Sequence, residues 1–160
     1  MIRPATAADV PVIVGLVRAL AEYEKLADQV RLEEGPLREH LFGPRPWAEV
    51  LLAEETGEVV GFALFFPTYS TFAGRPGLYL EDLFVRPEHR GRGHGAALFR
   101  AVARLAVERA CGRLEWAVLD WNEPALAFYR SRGAVPLDDW TVYRLDGAAL
   151  RAAGEGGAAG

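Results

Sequence analysis

The chain has 160 residues, enough for one domain with a buried core, and 51% hydrophobic with 25% charged residues is an ordinary globular composition. A formal net charge of −4 argues against nonspecific nucleic-acid binding and favours cationic partners. No apolar run approaches the roughly 20 residues of a membrane helix, and a single cysteine, Cys111, excludes an internal disulfide framework.

Ile2-Arg3-Pro4 reads as a short strand. Thr6 or Asp9 caps the helix that follows, in which Val10, Ile13, Leu16, Val17 and Leu20 recur at helical spacing. Residues 33–42 read as a shorter helix, with Pro36 tolerable only in its first turn, and Gly43-Pro44-Arg45-Pro46 breaks the pattern. Three strands follow at 49–54, 59–68 and 77–85, the first two joined by a hairpin turn at Glu55-Thr56-Gly57-Glu58. Next come a glycine-rich turn, Arg90-Gly91-Arg92-Gly93-His94-Gly95, and a helix over 96–109. A strand at 113–121, a helix at 122–132 with Gly133 as its C-cap, and a last strand at 141–145 complete the pattern. Residues 1–151 are expected to form one domain and the Gly/Ala-rich 152–160 a flexible tail. The order β-α-α-β-β-β-α-β-α-β predicts an α/β chain with a mixed, mostly antiparallel sheet and helices on both faces. The N-terminus lacks the charged-then-apolar build of a secretory signal, so a cytoplasmic location is expected.

A glycine turn between a strand and a helix N-terminus suits a phosphorylated ligand. Backbone N–H groups and the positive end of the helix dipole meet there, and glycine admits close approach. A P-loop needs Lys-Ser/Thr after the glycines, whereas Gly95 is followed by Ala96-Ala97. A dinucleotide fingerprint is met in form by Gly91, Gly93 and Ala96, with Asp120 near the end of the next strand. Against it, residues 86–90 separate the strand from the first glycine, and too few βαβ units follow for a doubly wound sheet. This leaves a nicotinamide-dependent oxidoreductase as a competing class.

A third reading accounts for more of the chain. Arg90-x-x-Gly93-x-Gly95 resembles the Arg/Gln-x-x-Gly-x-Gly/Ala motif of the GNAT superfamily of N-acetyltransferases, and it is joined by Asn122-Glu123-Pro124-Ala125 and Phe128-Tyr129-x-x-x-Gly133. Ile2-Arg3-Pro4-Ala5-Thr6-Ala7-Ala8-Asp9, Glu22-Tyr23-Glu24, Tyr79-Leu80-Glu81-Asp82 and Trp121-Asn122-Glu123-Pro124 are similar to the spermidine/spermine (diamine) N-acetyltransferase family and its thialysine branch. The departures are the short connection at 55–58, Glu115-Trp116-Ala117, and the tail.

The resemblance implies acetyl-CoA as cofactor, with CoA as product and no metal. Its pyrophosphate would lie on Arg90, Gly91, Arg92, Gly93, His94, Gly95 and Ala96. Backbone groups of Leu83, Phe84 and Val85 would meet the pantetheine and acetyl carbonyl, and Asn122, Glu123, Pro124 and Ala125 would contact the cofactor further along. Glu81 would take the proton of the attacking amine, directly or through water, and Tyr129 would donate to the departing thiolate. Tyr23, Glu24, Glu81, Glu115, Trp116 and Ala117 would bind the acceptor, a small primary amine such as a polyamine, diamine or thialysine. The resemblance also implies a homodimer.

The residues leave bland alternatives beside these roles. Glu22 and Glu24 also suit the solvated end of a helix, Tyr129 an aromatic packed on the sheet, and His94 an exposed filler. Glu81 and Asp82 should face opposite sides of a regular strand, so at most one faces an acceptor unless a bulge intervenes; the resemblance implies a bulge. No group of His, Cys or carboxylates has metal-ligand spacing. A peptide or protein amine as acceptor, and a non-catalytic acyl-CoA-binding protein, stand as alternatives.

Overall fold

The structure is a computed structural model describing residues 1–155. In chain order the elements are β1 (Ile2–Pro4), α1 (Val10–Tyr23), α2 (Glu34–Phe42), β2 (Glu49–Glu55), β3 (Glu58–Ser70), β4 (Arg75–Val85), α3 (His94–Glu108), β5 (Leu114–Glu115), α4 (Glu123–Arg130) and α5 (Gly147–Gly154). Two compact units divide the chain, Met1–Ala117 and Val118–Gly160.

The first unit holds one sheet of order β1-β2-β3-β4-β5, antiparallel throughout except for the parallel β4–β5 pair. Helices cover both faces, as the element order predicts. On one face α1 and α2 pack Val10, Ile13, Leu16, Leu37 and Leu41 against Val50, Leu52, Phe62 and Phe84. On the other, Leu98, Val102 and Ala106 of α3 meet Leu51, Ala53, Ala63, Phe65, Leu78 and Leu80. Successive residues of β2 serve opposite faces, so the strand is an apolar run rather than an alternating one. Each fully buried Leu or Phe in these layers contributes roughly 1.5 to 3 kcal/mol relative to exposure, which makes the sheet a firm frame for the loops at its ends.

Local chemistry fixes the entry to α1. The Asp9 carboxylate accepts from the Thr6 N–H at 2.7 Å and the Thr6 hydroxyl at 2.8 Å, and both Arg3 terminal nitrogens reach it at 2.8 Å. Arg3 also donates to Glu54 at 2.7 Å, tying β1, β2 and α1 together. The Arg3 guanidinium holds the Asp9 carboxyl well below the usual carboxylate range. Between β2 and β3, Thr56 and Gly57 carry φ of +49° and +85°, the two left-handed residues of a tight hairpin turn.

Some predicted elements differ. Of the strand expected over 113–121 only Leu114–Glu115 pairs, and 141–145 forms no strand. Apolar patterning supplies a β-compatible surface, whereas a strand also needs a backbone ladder, which these residues lack. Part of the stretch expected to be a tail is helical, since α5 extends to Gly154; its alanines carry the best helix propensity of any residue. The remainder of that stretch, 156–160, lies outside the described residues.

Candidate active site

One irregularity in β4 organises the first unit's functional residues. Across β3 and β4, Leu64 pairs with Asp82 and Phe65 with Leu80, so Glu81 is an extra residue in β4. This is the β-bulge that the resemblance implies at Glu81-Asp82. A bulge switches the parity of the strand. Before it, Leu78 and Leu80 pack towards α3; after it, Phe84 packs towards α1 and Val85 towards α3.

The backbone changes parity as well. Ahead of the bulge, the Leu78 N–H donates to the Arg113 carbonyl on the β5 side at 3.1 Å. Beyond it, the Arg86 N–H donates to Val60 on the β3 side at 2.9 Å, so the backbone groups of Leu83 and Val85 face the other edge. Pairing with β5 ends at Leu78↔Leu114 and Tyr79↔Glu115. Among the described residues no strand pairs with β4 past that point. An open edge with outward N–H groups accepts an extended, amide-bearing ligand as an added strand would be accepted.

That edge leads into the glycine turn. Gly91 and Gly93 have φ of +75° and +85°, and nothing lies within 4 Å of where a Cβ would stand on either. The first helical bond of α3 runs from the Ala97 N–H to the Gly93 carbonyl at 2.9 Å, leaving the N–H groups of residues 94–96 without intrahelical partners. The residues therefore fit an anionic, extended ligand such as the phosphopantetheine portion of CoA. Arg90 is directed back onto the sheet: its Nε donates to the Val85 carbonyl at 2.9 Å, and its guanidinium lies 4.4 Å from the Tyr23 ring centroid and 5.5 Å from that of Phe84. His94 is not the exposed filler expected, because its side chain is only 14% accessible and points at Glu55.

The glycines make a local test. Gly93→Ala places a Cβ in the left-handed region at a cost of roughly 1–2 kcal/mol, and is expected to lower the melting temperature and weaken CoA binding. Gly95→Ala has no such strain, its Cβ meeting only Val85 Cγ2 at an ordinary 3.8 Å. Calorimetric titration with CoA should find Gly95→Ala within about threefold of the wild type by the affinity arithmetic of about 1.4 kcal/mol per tenfold.

Acidic and aromatic groups gather on the α1 side of β4. Asp82 is pushed up to about 7, first by burial and then by the charges of Glu81 and Glu24. Burial also raises Glu24, at the C-terminus of α1. Tyr79 stacks on Phe66 at 5.3 Å, and its phenol is raised by burial and by Glu81 and Glu115. Glu81 is exposed. Glu81 and Glu24 thus act on Asp82, and Glu81 and Glu115 on Tyr79; neither Asp82 nor Tyr79 stood among the expected site residues. Trp116 sits elsewhere: it meets Phe99 edge-on at 5.4 Å in the α3-side core, apart from Glu115, while Ala117 is exposed. Glu115 itself pairs with Arg113 at 3.0 Å.

In the second unit Asn122 caps α4, its side-chain oxygen accepting from the Ala125 N–H at 3.4 Å, with Glu123 and Pro124 in the first turn. Tyr129 meets Phe128 edge-on with centroids 5.2 Å apart, and Arg132 lies over Phe128 at 3.5 Å. Among the described residues, no group of three or more His, Cys, Asp or Glu is placed to hold a metal ion.

The acetyltransferase (GNAT) family matches residues 14–134. Thialysine N-epsilon-acetyltransferase from Bos taurus is 43% identical, over 94% of this chain and 95% of its own length. L-ornithine N5-acetyltransferase from Arabidopsis thaliana is 33% identical, over 94% of this chain and 86% of its own. Among solved structures, an integron cassette protein from the mobile metagenome of V. cholerae has a TM-score of 0.81 at 27% identity, over 97% of each chain. The open β4 edge and glycine turn thus coincide with a match that excludes the dinucleotide reading, and the chain belongs to the GNAT acetyltransferase family.

Proposed function

We propose that this N-acetyltransferase moves the acetyl group of acetyl-CoA to a primary amine of a small cationic acceptor, of the polyamine, diamine or thialysine-like class, by direct attack. The observation that carries this reading is the bulge at Glu81, which exposes backbone donors on one edge of β4 and sets Asp82 among Glu24 and Glu81 on the α1 side. Curated relatives that span most of the chain and are named for small amino-acid amines support the acceptor class.

Acetyl-CoA supplies an activated acyl group as a thioester. The glycine turn and the N-terminus of α3 bind its pyrophosphate, and Leu83 and Val85 hold its pantetheine arm along β4. The Leu83 N–H polarises the acetyl carbonyl. An alkylammonium, with a pKa near ~10.4, must lose a proton before it attacks. Glu81, exposed, meets the cation directly or through water, and Asp82, with a pKa of about 7, is placed to hold the proton near neutral pH. Tyr23, Glu24 and Glu115 attract the remaining positive charge. Asn122 and the 123–125 segment contact the cofactor, and Tyr129 donates to the departing thiolate. The family match over 14–134 supports reading 1–151 as one N-acetyltransferase domain. A cytoplasmic homodimer completes the proposal, and sizing chromatography checks the dimer.

The test is an acceptor screen by kcat/KM with spermidine, spermine, putrescine, thialysine, lysine, ornithine and amino-terminal peptides. Small diamines or thialysine are expected to exceed the peptides by at least tenfold. Reaction with peptides alone overturns the small-amine reading and leaves acetyl transfer standing.

A further inference from the structure

We propose that Glu55 is a positioning residue for the cofactor grip, fastening the glycine turn to the end of the sheet through His89 and Arg92, with His94 close by. The inference rests on the reading that this turn holds the pyrophosphate of acetyl-CoA. The Glu55 Oε2 accepts from His89 Nδ1 at 2.7 Å and from Arg92 Nη1 at 2.7 Å, while His94 Nε2 approaches Oε1 at 3.4 Å, within ion-pair reach but outside hydrogen-bond geometry. Arg92 is held a second time, its Nη2 donating to the Glu88 carbonyl at 3.3 Å.

The placement of the three partners matters more than their number. His89 precedes the left-handed Gly91, Arg92 separates Gly91 from Gly93, and His94 follows Gly93 as the first residue of α3. Glycines at positive φ fit the turn but are the residues with most backbone freedom to lose. A free loop of this kind samples many orientations of its N–H groups, and binding must then select one. Tethers ahead of the first glycine and between the two remove that freedom in advance, which is how preorganisation strengthens binding. Glu55 is itself firmly based, because it pairs with Glu58 across the two-residue turn that ends β2. The hydrogen bond from His89 lowers its pKa most, against the opposing effect of burial, and the Arg92 charge lowers it further.

The sign of the effect separates this role from simple electrostatics. A carboxylate beside a pyrophosphate site repels the ligand, so on charge alone Glu55→Gln and Glu55→Ala should tighten CoA binding. Positioning gives the opposite sign. Glu55→Ala is expected to weaken CoA about five- to tenfold by calorimetry and to raise the acetyl-CoA KM by a similar factor, with kcat within about twofold; Glu55→Gln, which keeps one acceptor oxygen, should fall between. Hydrogen–deuterium exchange in the ligand-free protein should show residues 90–96 exchanging at least threefold faster in Glu55→Ala, with strands β2 and β3 unchanged. Tighter or unaltered CoA binding, or unaltered exchange over 90–96, overturns the positioning role. Failure of the wild type to bind CoA overturns the cofactor reading instead, while the ligand-free exchange measurement still tests the tether on its own.

Discussion

Replacing Asp82 by asparagine is expected to lower kcat/KM at least tenfold at pH 7 and, at pH 8, to raise the melting temperature. Both effects come from one half-buried carboxyl. Asp82 follows the bulged Glu81 and faces Glu24, and burial with these two like charges moves its pKa from an ordinary 3.8 to about 7. Between those values the native protein binds a proton that the unfolded chain releases. Stability contributed by this group therefore falls as pH rises from about 4 to 7, and the full penalty is present above 7. At about 1.4 kcal/mol for each pKa unit, the penalty is at most about 4 kcal/mol. Asparagine has no charge to desolvate, so its advantage over the wild type should be absent near pH 4 and largest at pH 8. Activity moves the other way: a base matched to neutral pH is worth a factor of roughly 10² or more, and the acid limb of the wild-type pH–rate profile near pH 7 should vanish in the variant. Thermal melts at pH 4 and 8, with kcat/KM from pH 5.5 to 9, check both. A variant that is no more stable at pH 8 and retains its acid limb removes Asp82 from the mechanism. Glu81→Gln, at an exposed position, is expected to lower activity without the gain in stability.

The bulge also explains what could be read from the sequence. Helices α1 to α3 and strands β2 to β4 were legible within a few residues, because apolar spacing at 3.6 or 2 marks any element that buries a face. The glycine turn was legible because Gly91 and Gly93 adopt a backbone conformation that other residues resist. Asp82 was not, since regular alternation sets it opposite Glu81, and only the inserted residue and the closeness of Glu24 give it its character. Glu55 was hidden for a related reason. It lies 34 to 39 residues from its partners, and a hairpin turn disguises it as punctuation. The placement of Trp116 was not legible either: its neighbour Glu115 acts on Tyr79, but in an extended chain the next side chain points the other way, towards Phe99. The expected strands at 113–121 and 141–145 failed because pattern does not reveal a ladder partner.

Tyr129→Phe is expected to keep CoA affinity and lower kcat at least tenfold. The substitution removes one hydroxyl and leaves the ring, so it separates the two roles open to this residue. Its edge-on contact with Phe128 at 5.2 Å is made by the ring and survives. Helix α4 also keeps its Asn122 cap. If Tyr129 serves packing alone, turnover should stay at the wild-type level. If its hydroxyl faces the departing sulfur, the loss should match one hydrogen bond to a charged group. Such a bond is worth about 1.5–3 kcal/mol, or roughly 10- to 150-fold in rate. A phenol near ~10 is less acidic than a thiol near ~8.5, so the bond stabilises the thiolate as it forms and complete proton transfer is not required. The effect therefore belongs in kcat, where charge has developed on sulfur, and not in the binding of acetyl-CoA, whose thioester sulfur is neutral. Steady-state kinetics with saturating acceptor, together with calorimetric CoA binding, measures both quantities. Wild-type turnover in the phenylalanine variant leaves Tyr129 with packing alone and assigns thiolate stabilisation to another group; reduced turnover with unchanged CoA affinity places the hydroxyl in the chemical step.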